Sequence, residues 1–184
     1  MAERVCPVWV GYLLLSPLRR LFENPYKLMR PHVKPGMTVL DVGCAMGYFS
    51  LPAAKLVGPA GRVVCLDLQP KMIEVLRRRA GRAGLLNRMD LRVCPETHLR
   101  VDDLNGRVDV VLAFHVIHEL PPAHTFFKEV AAALKPGGKL LVVEPKGHVS
   151  NAEFARAKEA TVAAGLVVID ETRVRSGRAF VAVK

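Results

Sequence analysis

From about residue 37 to the end of the chain, short apolar runs alternate with amphipathic stretches, which predicts strands alternating with helices. The runs that have the length and β-branched content of strands are 38–42, 62–67, 90–93, 108–114, 139–144, 166–172 and 179–183. Helical spacing of apolar residues is found over 48–57, 70–80, 124–134 and 150–164. This alternation predicts a doubly wound α/β fold, in which a mostly parallel seven-stranded sheet carries helices on both faces. The last two strands are too close for a crossover, so we expect a C-terminal antiparallel hairpin.

The N-terminal residues predict short amphipathic helices ahead of the sheet. Ser16-Pro17 and Asn24-Pro25 each pair an N-cap residue with proline at the first helical position, and the apolar side chains of Leu18, Leu21 and Phe22 share one helix face. We predict a single domain, 1–184, in which 1–36 is a helical cover or lid and 37–184 is the core sheet.

Composition narrows the class of protein further. Hydrophobic residues make up 51% of the chain and charged residues 24%, which is typical of a folded globular domain. The four cysteines form no C-x-x-C pair, so we expect free thiols in a reducing compartment and a cytoplasmic protein. The apolar stretch 5–15 is too short to span a bilayer and is interrupted by Pro7 and Gly11, so we expect no membrane partner.

The net charge of +10 raises the question of a nucleic-acid partner. Much of this charge is arginine on predicted helix and turn surfaces, namely Arg77, Arg78, Arg79, Arg82, Arg173, Arg175 and Arg178. No aromatic residues alternate with these arginines, although stacking aromatics are the usual means of binding single-stranded RNA. A nucleic-acid partner is therefore left open but not favoured over a basic, solvated face.

The feature that indicates a ligand-binding site is the turn after the first predicted strand. An apolar run ends at Asp41 and enters a small-residue turn with Gly43, Ala45 and Gly47, and a second apolar run ends at Asp67. The dinucleotide pattern G-x-G-x-x-G is not met, because Tyr48 stands where the third glycine is required. The spacing therefore favours a nucleoside that carries a zwitterionic amino acid over one that carries a pyrophosphate.

The same turn leads to two expectations about its backbone. A tight strand-to-helix turn of this kind directs its amide groups outward to a ligand. Ala45 occupies a position at which glycine is usual, and its methyl group is tolerated if its φ is negative. Both expectations concern geometry and are tested by the structure below.

Four segments in order resemble the motifs of class I S-adenosylmethionine-dependent methyltransferases. Residues 40–47 resemble motif I and residues 64–67 motif II, while 109–120 resemble the strand-four motif and 134–145 the turn into strand five. The resemblance implies the Rossmann-like methyltransferase fold and S-adenosylmethionine as cofactor. It also implies methyl transfer by in-line displacement at the sulfonium carbon, to an acceptor that we expect to be a small molecule.

The resemblance also implies the cofactor-binding residues. They are Asp41, Gly43, Cys44, Ala45, Gly47, Tyr48, Asp67, Leu68, Met72, Pro95, Glu96 and Phe114. Asp41 is expected at the ligand amino group, and Asp67 at the ribose, unless Asp67 only stabilises the start of the following helix. Leu68 and Met72 are expected beside the adenine. Pro95 occupies the position of an acid found in many relatives, so Glu96 or backbone groups must replace it.

Candidate catalytic residues follow the fourth predicted strand. His115, His118 and Glu119 form an H-x-x-H-E sequence, which differs from the H-E-x-x-H zinc motif, and we expect no metal. We expect His115 or His118 to orient or deprotonate the acceptor, because imidazole titrates near neutral pH. The alternative for His118 and Glu119 is hydrogen bonding within the loop. A base is optional for this reaction, because the cofactor is already activated.

Two other functions remain open at this stage. The basic surface is compatible with a methyltransferase for RNA or protein, which would bind its substrate in a salt-dependent way. The departures at Ala45 and Pro95 are compatible with a protein that binds S-adenosylmethionine without turnover. We expect a small-molecule acceptor as partner, and the protein to be a monomer or a homodimer.

Overall fold

The structure is a computed structural model that describes residues 7–16, 18–120, 125–145, 147–175 and 177–184. The strands are β1 Thr38–Val42, β2 Arg62–Asp67, β3 Met89–Val93, β4 Val108–Phe114, β5 Leu134–Pro145, β6 Val167–Val174 and β7 Gly177–Val183. The helices are α1 Val8–Leu14, α2 Arg19–Phe22, α3 Pro25–Met29, α4 Ser50–Leu56, α5 Pro70–Arg82, α6 Phe126–Ala133 and α7 Asn151–Ala163. The strand order is β3-β2-β1-β4-β5-β7-β6. This mixed, mostly parallel sheet with a C-terminal antiparallel hairpin confirms the predicted fold class.

The chain divides into two compact units at residues 94 and 95. In the first unit β2 pairs in parallel with both β1 and β3. Val39, Leu40, Val63 and Val64 are fully buried, as expected of parallel strands covered on both faces, which are continuous apolar runs in the sequence. The predicted bounds of β1 and β2 agree with the structure because such runs have clear ends. The single-domain prediction stays a prediction.

The second unit contains the antiparallel part of the sheet. β4 pairs in parallel with β5, and β7 pairs antiparallel with both β5 and β6, so the predicted hairpin is confirmed. β5 begins earlier than predicted, at Leu134, but the pairing shifts register between Val108 and Val110. The turn that the sequence predicts at Pro136-Gly137-Gly138 is thus an irregularity inside the strand rather than its boundary.

α7, in the second unit, begins at a side-chain cap. The Ser150 side chain accepts a hydrogen bond from the Glu153 amide and the Glu153 carboxylate accepts one from the Ser150 amide, which forms a capping box before α7. α6 begins at Phe126, and His124, the predicted first residue of that helix, lies outside the described residues.

The N-terminal helices agree only in part with the prediction. The Asn24 side chain accepts hydrogen bonds from the amides of Tyr26 and Lys27, which confirms the predicted cap of α3. α2 begins at Arg19 rather than at the predicted Ser16-Pro17 signal, and Pro17 lies outside the described residues. Among the described residues, no helix is long and apolar enough to cross a membrane. The role of 1–36 as a lid stays a prediction.

Candidate functional site

The loop after β1 has three residues with positive φ. Gly43, Ala45 and Gly47 have φ values of 71°, 45° and 83°. A side chain at Gly47 would collide with the Leu76 side chain, so glycine is required there for space as well as for conformation. The condition under which alanine at position 45 costs nothing, a negative φ, is not met, and this alanine adopts the left-handed region at a cost of about 1 kcal/mol.

The amide groups of this loop are bonded within the protein. The Cys44 amide donates to the Leu66 carbonyl at 2.9 Å, the Gly47 amide to the Cys44 carbonyl at 2.9 Å, and the Ala45 amide to Asp67 Oδ2 at 2.8 Å. The expectation that these amides point outward is therefore wrong for Cys44, Ala45 and Gly47. The loop closes on itself and on the end of β2, because buried amides without partners are costly.

Asp41 is a buried carboxyl at the end of β1. Its side chain is almost fully buried, and Ser50 Oγ donates to its Oδ2 at 2.5 Å. Burial raises the pKa of Asp41 to about 7, the Ser50 bond opposes this rise, and the nearby Asp67 carboxyl adds to it. The group is therefore poised between its neutral and charged forms near neutral pH.

Asp67 holds two backbone amides at the end of β2. Its Oδ2 accepts from the Ala45 amide and its Oδ1 accepts from the Gln69 amide, each at 2.8 Å. Burial raises the pKa of Asp67, and these two bonds oppose the rise. Gln69 is the N-cap residue of α5, so Asp67 does stabilise the start of that helix. Each carboxylate oxygen has a second lone pair, which leaves room for a donor such as a ribose hydroxyl.

The two carboxyls suit a ligand with positive charge and hydroxyl donors. Among the residues that the structure describes, neither Asp41 nor Asp67 has a salt bridge to Lys, Arg or His. A buried carboxylate without a cation is unfavourable, and a cationic ligand group beside it would lower its pKa. The ammonium and sulfonium groups of S-adenosylmethionine have this charge, and its ribose has the hydroxyls. The residues therefore fit this cofactor.

Two of the predicted cofactor residues, Tyr48 and Met72, contact the N-terminal segment, and their role in cofactor binding stays a prediction. The Tyr48 hydroxyl donates to the Glu23 carbonyl at 2.7 Å, and the Arg19 guanidinium lies 4.2 Å from the centre of the Tyr48 ring. Met72 is buried in a cluster with Met46 and Val75, against which Val8, Leu15 and Ala45 pack. The side chains of Tyr48 and Met72 thus connect the region after the loop to α1 and α2.

The other predicted cofactor residues have varied surroundings. Burial raises the pKa of the Cys44 thiol well above its ordinary value, which makes it an unreactive core group. Leu68 is half-buried directly after Asp67. Pro95 and Glu96 follow β3 at the start of the second unit, and Glu96 is exposed. Phe114 is the buried last residue of β4.

In the second unit, His118 is paired with a buried glutamate. His118 Nδ1 lies 2.6 Å from Glu144 Oε2, and Glu144 Oε1 accepts from the Ile117 amide at 3.0 Å. Glu144 is 2% exposed, and the hydrogen bond to it raises the pKa of His118, against an opposing effect of partial burial. Because an ionised carboxylate only accepts, Nδ1 carries the proton, and in the neutral ring Nε2 is the basic nitrogen.

His115 and Glu119 occupy the same turn. His115 has φ +59° directly after β4, and its amide donates to the Val143 carbonyl at 2.7 Å. Glu119 lies in the 3-10 turn Ile117–Glu119, its amide donates to the Val116 carbonyl, and its charge contributes to the raised pKa of His118. The carboxylates of Glu119 and Glu144 thus both raise the pKa of His118.

Three residues contribute more than the sequence indicated. Glu144 ends an apolar run as Asp41 and Asp67 do, and on that pattern it was only a weaker candidate than His115, His118 and Glu119. Ser50 and Arg79 had no such signal. Ser50 binds Asp41, and the half-buried Arg79 guanidinium donates to the Met46 carbonyl in the loop. Both contacts depend on the packing of helices against the loop, which spacing alone does not reveal.

Comparison with known proteins adds evidence of a different kind. The family described as "Methyltransferase domain" matches residues 39–138. The chain is 33% identical to the ubiquinone/menaquinone biosynthesis C-methyltransferase UbiE of Bordetella avium over 72% of this chain and 50% of that protein. It is 35% identical to the ribosomal protein L11 methyltransferase of Pelotomaculum thermopropionicum over 65% of this chain and 37% of that protein.

Solved structures agree on the fold. A SAM-dependent methyltransferase from Aquifex aeolicus superposes with a TM-score of 0.84 and 23% identity, covering 97% of this chain and 98% of that one. The chain spans about half the length of the first curated relatives it matches, at 50%, 51% and 58% of them.

Proposed function

The chain belongs to the class I S-adenosylmethionine-dependent methyltransferases, and from this premise we propose that it methylates an ionisable hydroxyl group of a small molecule. The observation that carries the choice of acceptor is the pairing of His118 with the buried Glu144. Methylation of a hydroxyl requires loss of its proton, and an imidazole held in one tautomer is suited to accept it.

On this proposal, the cofactor is held in the first unit. Asp41 and Asp67 bind its positively charged amino-acid part and its ribose, beside the loop whose left-handed backbone positions Gly43 and Gly47 allow. When bound, S-adenosylmethionine supplies a methyl group that is already activated by a sulfonium. The protein therefore needs no metal or acid to activate the donor, and its contribution is orientation and proton removal.

His118 acts as the general base, and Glu144 is the residue that positions it. Glu144 fixes the proton on Nδ1 and, as the buried counter-charge, stabilises the imidazolium that forms after proton transfer. The Ile117 amide holds the other oxygen of Glu144, so the carboxylate cannot rotate without breaking that bond. His115 and Glu119 remain candidates for orienting the acceptor.

The substrate test uses S-adenosylmethionine that carries a labelled methyl group. The purified protein is incubated with a panel of phenols and hydroquinones, with total RNA, and with protein extract, and the labelled fraction is measured by scintillation counting and mass spectrometry. We expect label in a small hydroxylated compound, and its loss by about a hundredfold or more in His118→Gln. His98→Gln is the matched control, because His98 is an exposed histidine of the same unit.

Other outcomes would contradict the proposal in distinguishable ways. Label confined to RNA or protein would replace the small-molecule acceptor by a macromolecule. Cofactor binding by calorimetry without transfer to any fraction would favour a non-catalytic binding protein. Equal activity of His118→Gln and His98→Gln would leave the methyl transfer in place and remove His118 as its base.

A further inference from the structure

The N-terminal helices expose an unusual number of large apolar side chains. Trp9 and Leu18 are each 66% exposed. We define the N-terminal apolar face as the exposed residues Trp9, Tyr12, Leu13, Leu14, Leu18, Leu21 and Phe22. Leu18, Leu21 and Phe22, which were predicted to share one helix face, are among these exposed residues. Several large apolar side chains exposed on consecutive helices are typical of an interaction site.

The opposite side of α1 is anchored in the first unit, so the exposed face has a fixed direction. A Cβ at Gly11 would lie 3.0 Å from the Cε atoms of both Met46 and Met72, which means that the α1 backbone rests directly on these side chains. Val8 and Leu15 pack against the same cluster. Because α1 buries these residues, it turns Trp9, Tyr12 and Leu13 outward, at the i, i+3 and i+4 positions of one helix face.

Basic residues outnumber acidic residues in this region. Residues 7–37 contain five basic residues, Arg19, Arg20, Lys27, Arg30 and Lys34, and one acidic residue, Glu23. Glu23 is buried, and its Oε2 accepts hydrogen bonds from the Arg19 Nε and guanidinium at 2.9 and 2.6 Å. The segment that carries the apolar face therefore has four more basic than acidic residues, its Lys27, Arg30 and Lys34 are exposed, and none of its described side chains is an exposed carboxylate.

We propose that the N-terminal apolar face docks on an anionic lipid surface. Trp and Tyr are suited to the boundary between lipid and water, leucine and phenylalanine side chains insert below it, and lysine and arginine attract anionic headgroups. A second copy of the chain is a poorer occupant, because a symmetric contact would bring the basic residues of both copies together on a protein whose net charge is +10. Docking on a lipid surface is distinct from spanning a membrane. This proposal replaces the sequence-based expectation of no membrane partner.

The test uses the only tryptophan of the chain as its probe, because that residue, Trp9, lies in the proposed face. The full chain is mixed with vesicles of equal parts phosphatidylglycerol and phosphatidylcholine, and separately with phosphatidylcholine alone. We expect a blue shift of tryptophan emission and co-flotation with the anionic vesicles. Binding should weaken as salt is raised, because the electrostatic part is screened.

Matched variants separate the apolar and the electrostatic contributions. Leu13→Ser/Leu18→Ser should lower vesicle partitioning by about tenfold or more, since two inserted side chains are lost. Val167→Ser/Ile169→Ser removes equally exposed apolar side chains from β6 and should have no effect. Lys27→Gln/Arg30→Gln should lower partitioning by about tenfold or more, at about fivefold per charge, whereas Arg77→Gln/Lys128→Gln has the same net charge and should bind nearly as wild type.

Three results would overturn the proposal. The first is absence of flotation with anionic vesicles. The second is equal flotation of Leu13→Ser/Leu18→Ser and its β6 control. The third is a concentration-dependent dimer in sedimentation that Leu13→Ser/Leu18→Ser abolishes, together with no lipid binding, which would assign the face to a second copy. Because no methyl transfer is measured, each result is independent of the acceptor proposed above.

Discussion

Two turns that each follow a buried parallel strand depend to different degrees on backbone and side chains. The loop after β1, residues 43–47, has three positive φ values, and two of its amides bond to carbonyls and one to Asp67. The turn after β4 has one positive φ, at His115, and depends on a side chain, because Glu144 holds both the Ile117 amide and the His118 ring. A site fixed by backbone tolerates change in most side chains, whereas a site fixed by side chains changes its chemistry with one substitution. We therefore expect cofactor binding to depend on the first turn and acceptor chemistry on the second.

The largest effect is expected from a side chain placed in the backbone-defined loop. Gly47→Ala introduces a Cβ at φ +83° and against Leu76, and should lower the free energy of unfolding by about 2–4 kcal/mol. Urea denaturation measures this change. Gly81→Ala is the control: Gly81 lies in α5 with no atom near its added Cβ, and the same substitution there should stabilise by up to about 1 kcal/mol. Equal effects at both positions would mean that the loop is not constrained by its backbone.

The second largest effect is expected from the buried carboxyl group of Asp41. The folded-state pKa of Asp41 is raised from 3.8 to about 7, so the native state holds an extra proton between these values and stability falls as pH rises through that window. Asp41→Asn removes this loss of stability with rising pH and should stabilise the ligand-free protein by about 1–3 kcal/mol at pH 8. It should also weaken binding of S-adenosylmethionine, measured by calorimetry. A variant that is less stable than wild type at pH 8 would contradict the prediction.

The side-chain-defined turn is tested through the pH dependence of methyl transfer. Glu144 raises the pKa of His118, so the neutral base accumulates only above the ordinary histidine value of 6.5, and activity should rise with pH through that raised pKa. Glu144→Gln removes the negative charge, so we expect the rise to move to lower pH and the maximal rate to drop by about tenfold. Glu129→Gln, which changes a carboxylate bound to the Leu99 amide in the same unit, should leave the midpoint unchanged. An unmoved midpoint in Glu144→Gln would remove Glu144 as a positioning residue.

The smallest effect is expected at Ala45. Ala45→Gly relieves the positive φ but loses the contact of its methyl group with the Met46–Met72 cluster and adds freedom to the unfolded chain. These contributions oppose one another, so the free energy of unfolding should change by less than about 1 kcal/mol. Ala53→Gly, at a fully buried position inside α4, should be clearly destabilising by contrast. A loss at Ala45 as large as that at Ala53 would show that the strain assigned to this residue is absent.

The sequence predicted the framework of the molecule well where burial is complete. The bounds of β1, β2 and β4 agree with the structure, because fully buried parallel strands are uninterrupted apolar runs that end at a polar residue or turn. The exposure of Leu18 and Phe22 was not predictable, since apolar spacing identifies a helix face but not what covers it.

The candidate residues were found by their position along the chain and not by their partners. Asp41 and Asp67 end apolar runs and His118 follows one, yet their hydrogen-bond partners come from elsewhere in the chain. The sign of φ at Ala45 was left open, because a residue type restricts φ without fixing it, and the loop's closure onto Asp67 decides the matter.

The internal bonding of the loop has a consequence for which ligands can enter. Because the amides of Cys44, Ala45 and Gly47 are already occupied, the loop is ordered before any ligand arrives, and binding costs little conformational entropy. For the same reason a phosphate finds these three donors engaged and meets the carboxyls of Asp41 and Asp67 instead. We therefore expect this loop to disfavour anionic nucleotides and to favour a nucleoside that carries positive charge.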